Sequence, residues 1–178
     1  ELEDLSGSIW YGVKVRQIDY EDADRRIELS DLELQVDWSK TNTSHVAISR
    51  LSAKRLTIIS LSESEPDPQP LNLDIPELPV RVSAETIELK AVDFDGTIVN
   101  EIAVEGVDAR DLRIRAAQAS AAFGKYRVQL DNLDAELVAD VALSAVFAWQ
   151  AADGSWSGEG SVSGSLHRLE VEHRLFGE

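Results

Sequence analysis

The pattern that decides the fold is clearest in residues 27–34, which read IELSDLEL. Apolar residues occupy alternate positions on both sides of the polar pair Ser30-Asp31. Because successive side chains of a β-strand point to opposite faces, this alternation predicts a strand with one apolar face. The extra polar residue reverses the parity of the alternation. A β-bulge or a bend at Ser30-Asp31 would return the apolar residues to the same face.

The same pattern recurs along the chain at irregular intervals, each time with two polar residues at its centre. The copies lie at residues 27–34, 51–58, 82–89, 107–114, 128–135 and, with glycine in the first place, 164–171. A longer alternation places an apolar residue at every odd position from Leu133 to Trp149. The Ala-rich residues 115–123 have helical propensity, but their flanks alternate and we interpret them as a strand. The sequence therefore predicts an all-β fold built from strand-bend-strand repeats with a continuous apolar face.

The distribution of proline predicts one interruption in this β-structure. All five prolines lie between Pro66 and Pro79. Because proline cannot donate a ladder hydrogen bond, residues 63–79 are expected to connect two groups of strands. Residues 1–178 are otherwise expected to form a single segment. Since the alternation continues into both ends, we expect this segment to belong to a longer β-protein.

Composition excludes several classes of function. The 178 residues include 17 Lys and Arg against 33 Asp and Glu, a formal net charge of −16. Such a chain is a poor partner for nucleic acid or for an anionic membrane surface, which clustered basic residues bind. The absence of cysteine removes disulfides, thiolate metal sites and cysteine nucleophiles. No apolar run approaches the roughly 20 residues that span a bilayer.

One motif is similar to a catalytic signature. Residues 90–99, KAVDFDGTIV, resemble the first motif of haloacid dehalogenase-type phosphatases, in which Asp93 would be the nucleophile and Asp95 the general acid beside a magnesium ion. That reading needs a helix after the motif, whereas residues 98–104 alternate like a strand. Asp-Gly between two alternating stretches is a strong hairpin signal. We therefore predict a turn.

No other constellation predicts chemistry. His45, His167 and His173 are far apart and lack companion ligands, so we expect no metal site and no cofactor. The aromatic residues are dispersed along the chain, and Trp38, Phe147 and Trp149 follow the apolar parity of an interior. The sequence thus predicts no catalytic residues and no enzyme. Few bulky aromatics and much Ala, Leu and Val predict an underfilled apolar groove suited to acyl chains.

The order of several segments resembles a known family. These segments are LSGSIWYGVKV at 5–15, IDYED at 18–22, IELSDLELQVDW at 27–38, the proline stretch, VRVSAETIEL at 80–89 and GEGSVSGSL at 158–166. Together they are similar to the N-terminal periplasmic part of the TamB family of Gram-negative bacteria. Members of this family are the inner-membrane subunits of the translocation and assembly module, and they are AsmA-like proteins. The resemblance covers nearly the whole chain as a series of patterns.

The resemblance implies a β-taco, an elongated curved sheet with a hydrophobic groove, in the periplasm and behind an inner-membrane anchor that precedes Glu1. It implies the outer-membrane barrel protein TamA as a partner through the full-length protein. It also implies two roles: assembly of outer-membrane proteins and autotransporters, and phospholipid transport between the membranes. Catalytic residues are not implied. The residues expected to line the lipid groove are Leu32, Leu34, Val36, Leu56, Ile58, Ile87, Leu89, Leu112, Ile114, Leu133, Leu137, Val141, Leu143, Phe147, Leu169 and Val171.

Two other interpretations are compatible with the sequence. The chain could be a structural or docking module whose strand edges pair with neighbouring segments or with the outer-membrane partner. It could also be an unrelated β-sandwich binding domain of the adhesin type, with a filled core. Two further positions on the apolar parity, the small residues Ala135 and Ala139, are expected to serve close packing rather than contact with a guest.

Overall fold

A computed structural model describes residues 2–8, 10–23, 25–61, 78–137, 141–165 and 168–177, which form one open, curved sheet of eleven strands. The strands are β1 (Leu2–Ser8), β2 (Gly12–Glu21), β3 (Arg25–Val36), β4 (His45–Ser60), β5 (Leu78–Phe94), β6 (Thr97–Asp111), β7 (Arg113–Phe123), β8 (Tyr126–Glu136), β9 (Ala142–Ala151), β10 (Trp156–Ser165) and β11 (Arg168–Gly177). The all-β prediction is confirmed, and so is the strand at the Ala-rich segment, which is β7.

The strands lie in the sheet in chain order, and one neighbouring pair is parallel instead of antiparallel. Each neighbouring pair is antiparallel except β4 and β5, which are parallel. A parallel pair cannot be joined by a hairpin, because the chain leaves β4 at one end of the sheet and enters β5 at the other. The predicted connector falls at this step. Its last two residues, Leu78 and Pro79, already belong to β5, and the rest lies outside the described residues.

Cross-strand partners share a face, and the apolar residues are partners of one another. Leu34 pairs with Val13 and with Leu51, Leu51 pairs with Ile87, and Ile87 pairs with Val104. The residues between them are polar and pair on the opposite side, as Glu33 does with Lys14. We call the two sides of the sheet the apolar face and the charged face.

Left-handed backbone at the polar pairs keeps the apolar residues on one face. Asp31 in β3 and Asn132 in β8 have φ values of 51° and 55°. Asp4 in β1 and Glu101 in β6 occupy the same place in two further polar pairs, Glu3-Asp4 and Asn100-Glu101, and Gly106 does so in Glu105-Gly106. Asp, Asn and Gly adopt this conformation most readily, which accounts for most of these positions. The register of β3 with β2 and β4 is constant across Ser30-Asp31, so the copy at 27–34 is a bend. The register of β8 with β9 shifts between Asp131 and Asp134, so the copy at 128–135 contains a bulge.

Strands β4 and β5 preserve the apolar face without left-handed residues. Their polar pairs, at 54–55 and 85–86, carry no positive φ. Leu51 pairs with Ile87 and Ala53 with Leu89, and the constant offset continues through Leu56 and Val92. The alternation of apolar and polar residues therefore shifts by one residue at the same level in both strands, and their register is unchanged.

Two of the predicted repeats are hairpins rather than bent strands. In residues 107–114, Arg110 pairs with Arg113, so Asp111 and Leu112 form a tight turn between β6 and β7. In residues 164–171, β10 ends at Ser165, which pairs with Arg168 at the start of β11. A two-residue turn also places the flanking positions opposite each other on one face. The apolar pattern is therefore the same for a bulge and for a tight hairpin.

The long alternation from Leu133 to Trp149 is also divided between two strands. β8 ends at Glu136 and β9 begins at Ala142. Ala135 pairs with Leu143, so the odd positions at the end of β8 share the apolar face with the odd positions of β9. Ala139 lies outside the described residues.

The described residues form a single layer. Each strand contacts only its immediate neighbours in the sheet, and no side chain is fully buried. The buried residues are mostly alanines, among them Ala53, Ala84 and Ala116. A sandwich needs a second sheet packed on the first. The adhesin-type sandwich is therefore wrong. Trp38, predicted to be interior, is 39% exposed and contacts Trp10.

The phosphatase-like motif forms the predicted turn. β5 ends at Phe94, which pairs with Thr97, and the central Asp95 and Gly96 both have positive φ, 47° and 85°, as in a type I′ turn. Asp95 also connects this turn to the end of β4 through hydrogen bonds with Ser60. Its carboxylate accepts hydrogen bonds of 2.7 Å from the backbone N–H and from the hydroxyl of Ser60. These bonds lower the pKa of Asp95.

Asp95→Asn is expected to reduce the acid sensitivity of the sheet. Because the folded state lowers the pKa of Asp95, its ionised form stabilises the protein above the unfolded-state value of about 3.9. That contribution disappears as the pH falls through the folded-state value, and asparagine cannot titrate. Urea unfolding at pH 6 and pH 3 should show a smaller loss of unfolding free energy in the variant than in the wild type. Equal losses would contradict this role of Asp95.

Candidate functional site

The candidate site is the apolar face. Of the residues predicted to line a groove, all except Leu112, Leu137 and Val141 lie in strands on this face. They are Leu32, Leu34 and Val36 in β3, Leu56 and Ile58 in β4, Ile87 and Leu89 in β5, Ile114 in β7, Leu133 in β8, Leu143 and Phe147 in β9, and Leu169 and Val171 in β11. The sequence pattern thus locates a continuous apolar surface across most of the sheet.

The three exceptions lie together in connections at one hairpin edge. Leu112 is in the β6–β7 turn, and Leu137 follows the end of β8. The backbone N–H of Leu137 donates a hydrogen bond of 2.6 Å to the carbonyl oxygen of Leu112. Val141 directly precedes β9 and is buried. These residues pack the edge of the sheet and are not part of the strand surface.

The aliphatic side chains of the apolar face are only partly covered. Ile87, Leu89 and Leu133 are half-buried, although they lie in the middle of strands. Towards the last strand the exposure increases, to 45% for Leu169 and 57% for Val171. Neighbouring side chains shield one another laterally and cover the alanines between them, and no other described element packs on top. Large exposed apolar patches are characteristic of binding surfaces.

Five aromatic residues lie along one hairpin edge of the apolar face, which we call the aromatic edge. They are Tyr20, Phe94, Phe123, Tyr126 and Trp156, with exposed fractions between 39% and 55%. Each lies close to a strand end, at the edge where β2, β5 and β7 finish and β8 and β10 begin. Residues that are dispersed along the chain therefore lie at the same edge of the sheet. The position of these residues next to turns is the sequence signal that could have placed them at one edge of the sheet.

A second aromatic group crosses β10 and includes a histidine. The indole Nε1–H of Trp149 in β9 donates a hydrogen bond of 2.9 Å to Nε2 of His173 in β11. The ring centroid of Phe147 lies 5.6 Å from that of His173, and Tyr126 packs edge-on against Trp149 at 5.6 Å. We call these four residues the ring row. The sequence reading missed it, because β10 separates its members in the sheet.

Glycines in β10 make room for the ring row. A Cβ atom at Gly158 would lie 2.5 Å from Nε1 of Trp149, and one at Gly160 would lie 2.9 Å from Cζ of Phe147. Both distances are shorter than ordinary van der Waals contacts. The rings therefore lie over β10 because these two positions have no side chain.

The charged face carries exposed ion pairs. Lys14 and Glu33 are 2.5 Å apart, as are Arg50 and Glu88. Such exposed pairs contribute about 0–1 kcal/mol each. They give the sheet a wettable side opposite the apolar face.

An arginine cluster at the hairpin edge of β5–β8 surrounds a cavity of about 590 Å³. Each of its arginines has a carboxylate within salt-bridge distance: Arg81 with Asp108, Arg110 with Asp111, and Arg113 and Arg115 with Asp134. Hydrogen bonds from Arg113 lower the pKa of Asp134, and that carboxylate raises the pKa of Arg113. These charges are paired with one another, so the cavity has no excess positive charge for an anion.

The candidate metal ligands and catalytic residues do not form a cluster in the part of the chain that the structure describes. No group of three potential metal ligands occurs there, and no helix there has the length and hydropathy of a membrane span. His45 contacts Ser83 at 2.8 Å on the charged face, whereas His173 lies on the apolar face. The carboxylate of Asp93 accepts the backbone N–H of Gly96 within the turn.

Comparison with known proteins gives one match. A family model described as TamB, N-terminal domain, matches residues 1–105 of the 178. This region includes β1 to β5 and most of β6. No curated protein and no solved structure matches the chain.

Proposed function

Because the chain belongs to the TamB N-terminal domain family, we propose that its apolar face carries the acyl chains of phospholipids between the inner and outer membranes. In this proposal the chain is a non-enzymatic, periplasmic segment of a protein anchored in the inner membrane. Through the full-length protein it would act with the outer-membrane barrel TamA in outer-membrane biogenesis and protein secretion.

The uncovered single layer is the observation that carries the proposal. A sheet with one apolar face ordinarily buries that face against a second layer. Here the strands contact only their neighbours, and the aliphatic side chains stay half-buried. Covering them with hydrocarbon is favourable by roughly 0.8 kcal/mol per methylene, so a tail of ~16 carbons gains about 12 kcal/mol before the costs of binding. An acyl chain thus replaces the missing layer.

The distribution of charge also favours a lipid guest. The cross-strand partners on the apolar face, such as Leu29 with Leu56 and Val92 with Val99, include no Asp, Glu, Lys or Arg in the described strands. An acyl chain therefore meets no group whose charge it would have to desolvate. Because the face is open, a polar headgroup can remain in water while the tails lie on the sheet.

The last strand supports a second candidate function, addition of a further strand. All residues of β11 are exposed, and its hydrogen-bonding edge away from β10 has no partner among the described strands. Such an edge can pair with a neighbouring segment, with a strand of TamA or with an unfolded outer-membrane protein.

Native mass spectrometry with lipid extraction on the purified chain tests the primary proposal. We expect phospholipid to co-purify, and added short-chain phospholipid to bind in a saturable way. If the chain is free of lipid and binds none, the lipid proposal is wrong. A strand-forming peptide that protects the β11 amides from hydrogen exchange would then support strand addition.

A further inference from the structure

His173 is a polar exception on the apolar face. Its cross-strand partner is Gly160, and the residues on the same face of β11 are Val171 and Leu175. Within the described strands it is the one histidine of this face. Its side chain is exposed, so it lies where a guest on the apolar face would contact it.

The contact with Trp149 fixes the protonation of the ring. An indole N–H can only donate, so Nε2 of His173 must accept the hydrogen bond of 2.9 Å. The imidazole is therefore neutral and carries its proton on Nδ1. Among the described residues, Nδ1 has no acceptor at hydrogen-bond distance. The ring thus presents a second, oriented N–H donor beside Phe147.

The geometry points to a lipid-oxygen site: the Nδ1–H of His173 donates a hydrogen bond to an oxygen atom of a glycerolipid that lies on the apolar face. This inference rests on the proposed function. On the open face water satisfies the donor, but a guest displaces that water. A purely hydrocarbon guest would leave the donor unsatisfied, which is costly, whereas an ester carbonyl or a phosphate oxygen would satisfy it.

Trp149 is a positioning residue for this site. Its hydrogen bond holds Nε2, and the absence of a side chain at Gly158 lets the indole cross β10 to reach the imidazole. Phe147 packs beside the same ring, with the centroids 5.6 Å apart. The donor direction is therefore set by three strands of the sheet.

Binding of three soluble short-chain lipids to the purified chain tests the site. The lipids are a diacyl phospholipid, its dialkyl ether analogue without carbonyl groups, and the matching diacylglycerol without phosphate. If the acceptor is the ester carbonyl, the wild type should bind the diacyl phospholipid about threefold to tenfold more tightly than the ether lipid. His173→Phe, which keeps a ring and removes the donor, should abolish this preference, and His173→Gln, which keeps an N–H donor, should restore part of it.

The outcomes separate this inference from the proposed function. If the variant instead loses a preference for either phospholipid over diacylglycerol, the acceptor oxygen is the phosphate, and the site stands. If His173→Phe and the wild type show the same preferences, the site is wrong even though lipid binds. If no lipid binds the wild type, the proposed function itself fails. Arg174→Gln, on the opposite face of β11, serves as the control and should keep the wild-type preferences.

Discussion

Replacing Ile87 by arginine is expected to reduce phospholipid binding by about tenfold or more while the sheet remains folded. Ile87 lies in the middle of β5 and pairs with Leu51 and Val104 on the apolar face. Because nothing in the described structure covers this position, the aliphatic part of arginine can lie on the sheet and extend its guanidinium outward. The charge would then occupy the path of an acyl chain, which cannot solvate it.

Thr86→Arg provides the matched control, because Thr86 precedes Ile87 and lies on the charged face opposite Glu105. We expect the control to bind phospholipid like the wild type. Both variants should keep the far-ultraviolet circular dichroism of a β-sheet, and binding is measured by native mass spectrometry. Equal affinity of the Ile87 variant and the wild type would exclude this face as the lipid path.

Replacing Gly160 by valine is expected to detach β11 from the sheet, at a cost of about 1–3 kcal/mol. A Cβ atom at Gly160 would collide with the backbone carbonyl oxygen of Glu172 and would lie 2.9 Å from Cζ of Phe147. A backbone atom cannot move aside as a flexible side chain can. The pairing between β10 and β11 must therefore open, and the contact between Trp149 and His173 is lost with it.

Hydrogen exchange of the β11 amides, together with urea unfolding, measures this effect. The neighbouring Ser161→Val is the control, because Ser161 points to the charged face and pairs with Val146. Valine is favourable in a strand, so the control should keep β11 protected. Unchanged protection in the Gly160 variant would show that β10 does not need a glycine there.

Much of this architecture follows from local sequence. Alternation around polar pairs predicts strands that keep one apolar face, and the positive φ of Asp31 and Asn132 shows how the chain does so. The Asp95-Gly96 turn is predicted for the same kind of reason, since both residues tolerate positive φ. These features depend on residues close together in the chain.

Features that depend on strand order could not be predicted in this way. The pattern in residues 107–114 fits a bulge or a hairpin, and only the pairing of Arg110 with Arg113 distinguishes them. The ring row brings together residues from β8, β9 and β11, so it becomes visible only when the register of β10 is known. The family resemblance implied a groove, but it implied nothing about His173.

The parallel step between β4 and β5 has a consequence for how the protein folds. On either side of it, β1 to β4 and β5 to β11 are meanders in which every pairing joins consecutive strands. Such local pairings have low contact order and form quickly. Joining β4 to β5 requires closure of the loop between Ser60 and Leu78, whose entropic cost exceeds that of a hairpin. We therefore expect the two meanders to form first and the pairing of β4 with β5 to be the last part of the sheet to close.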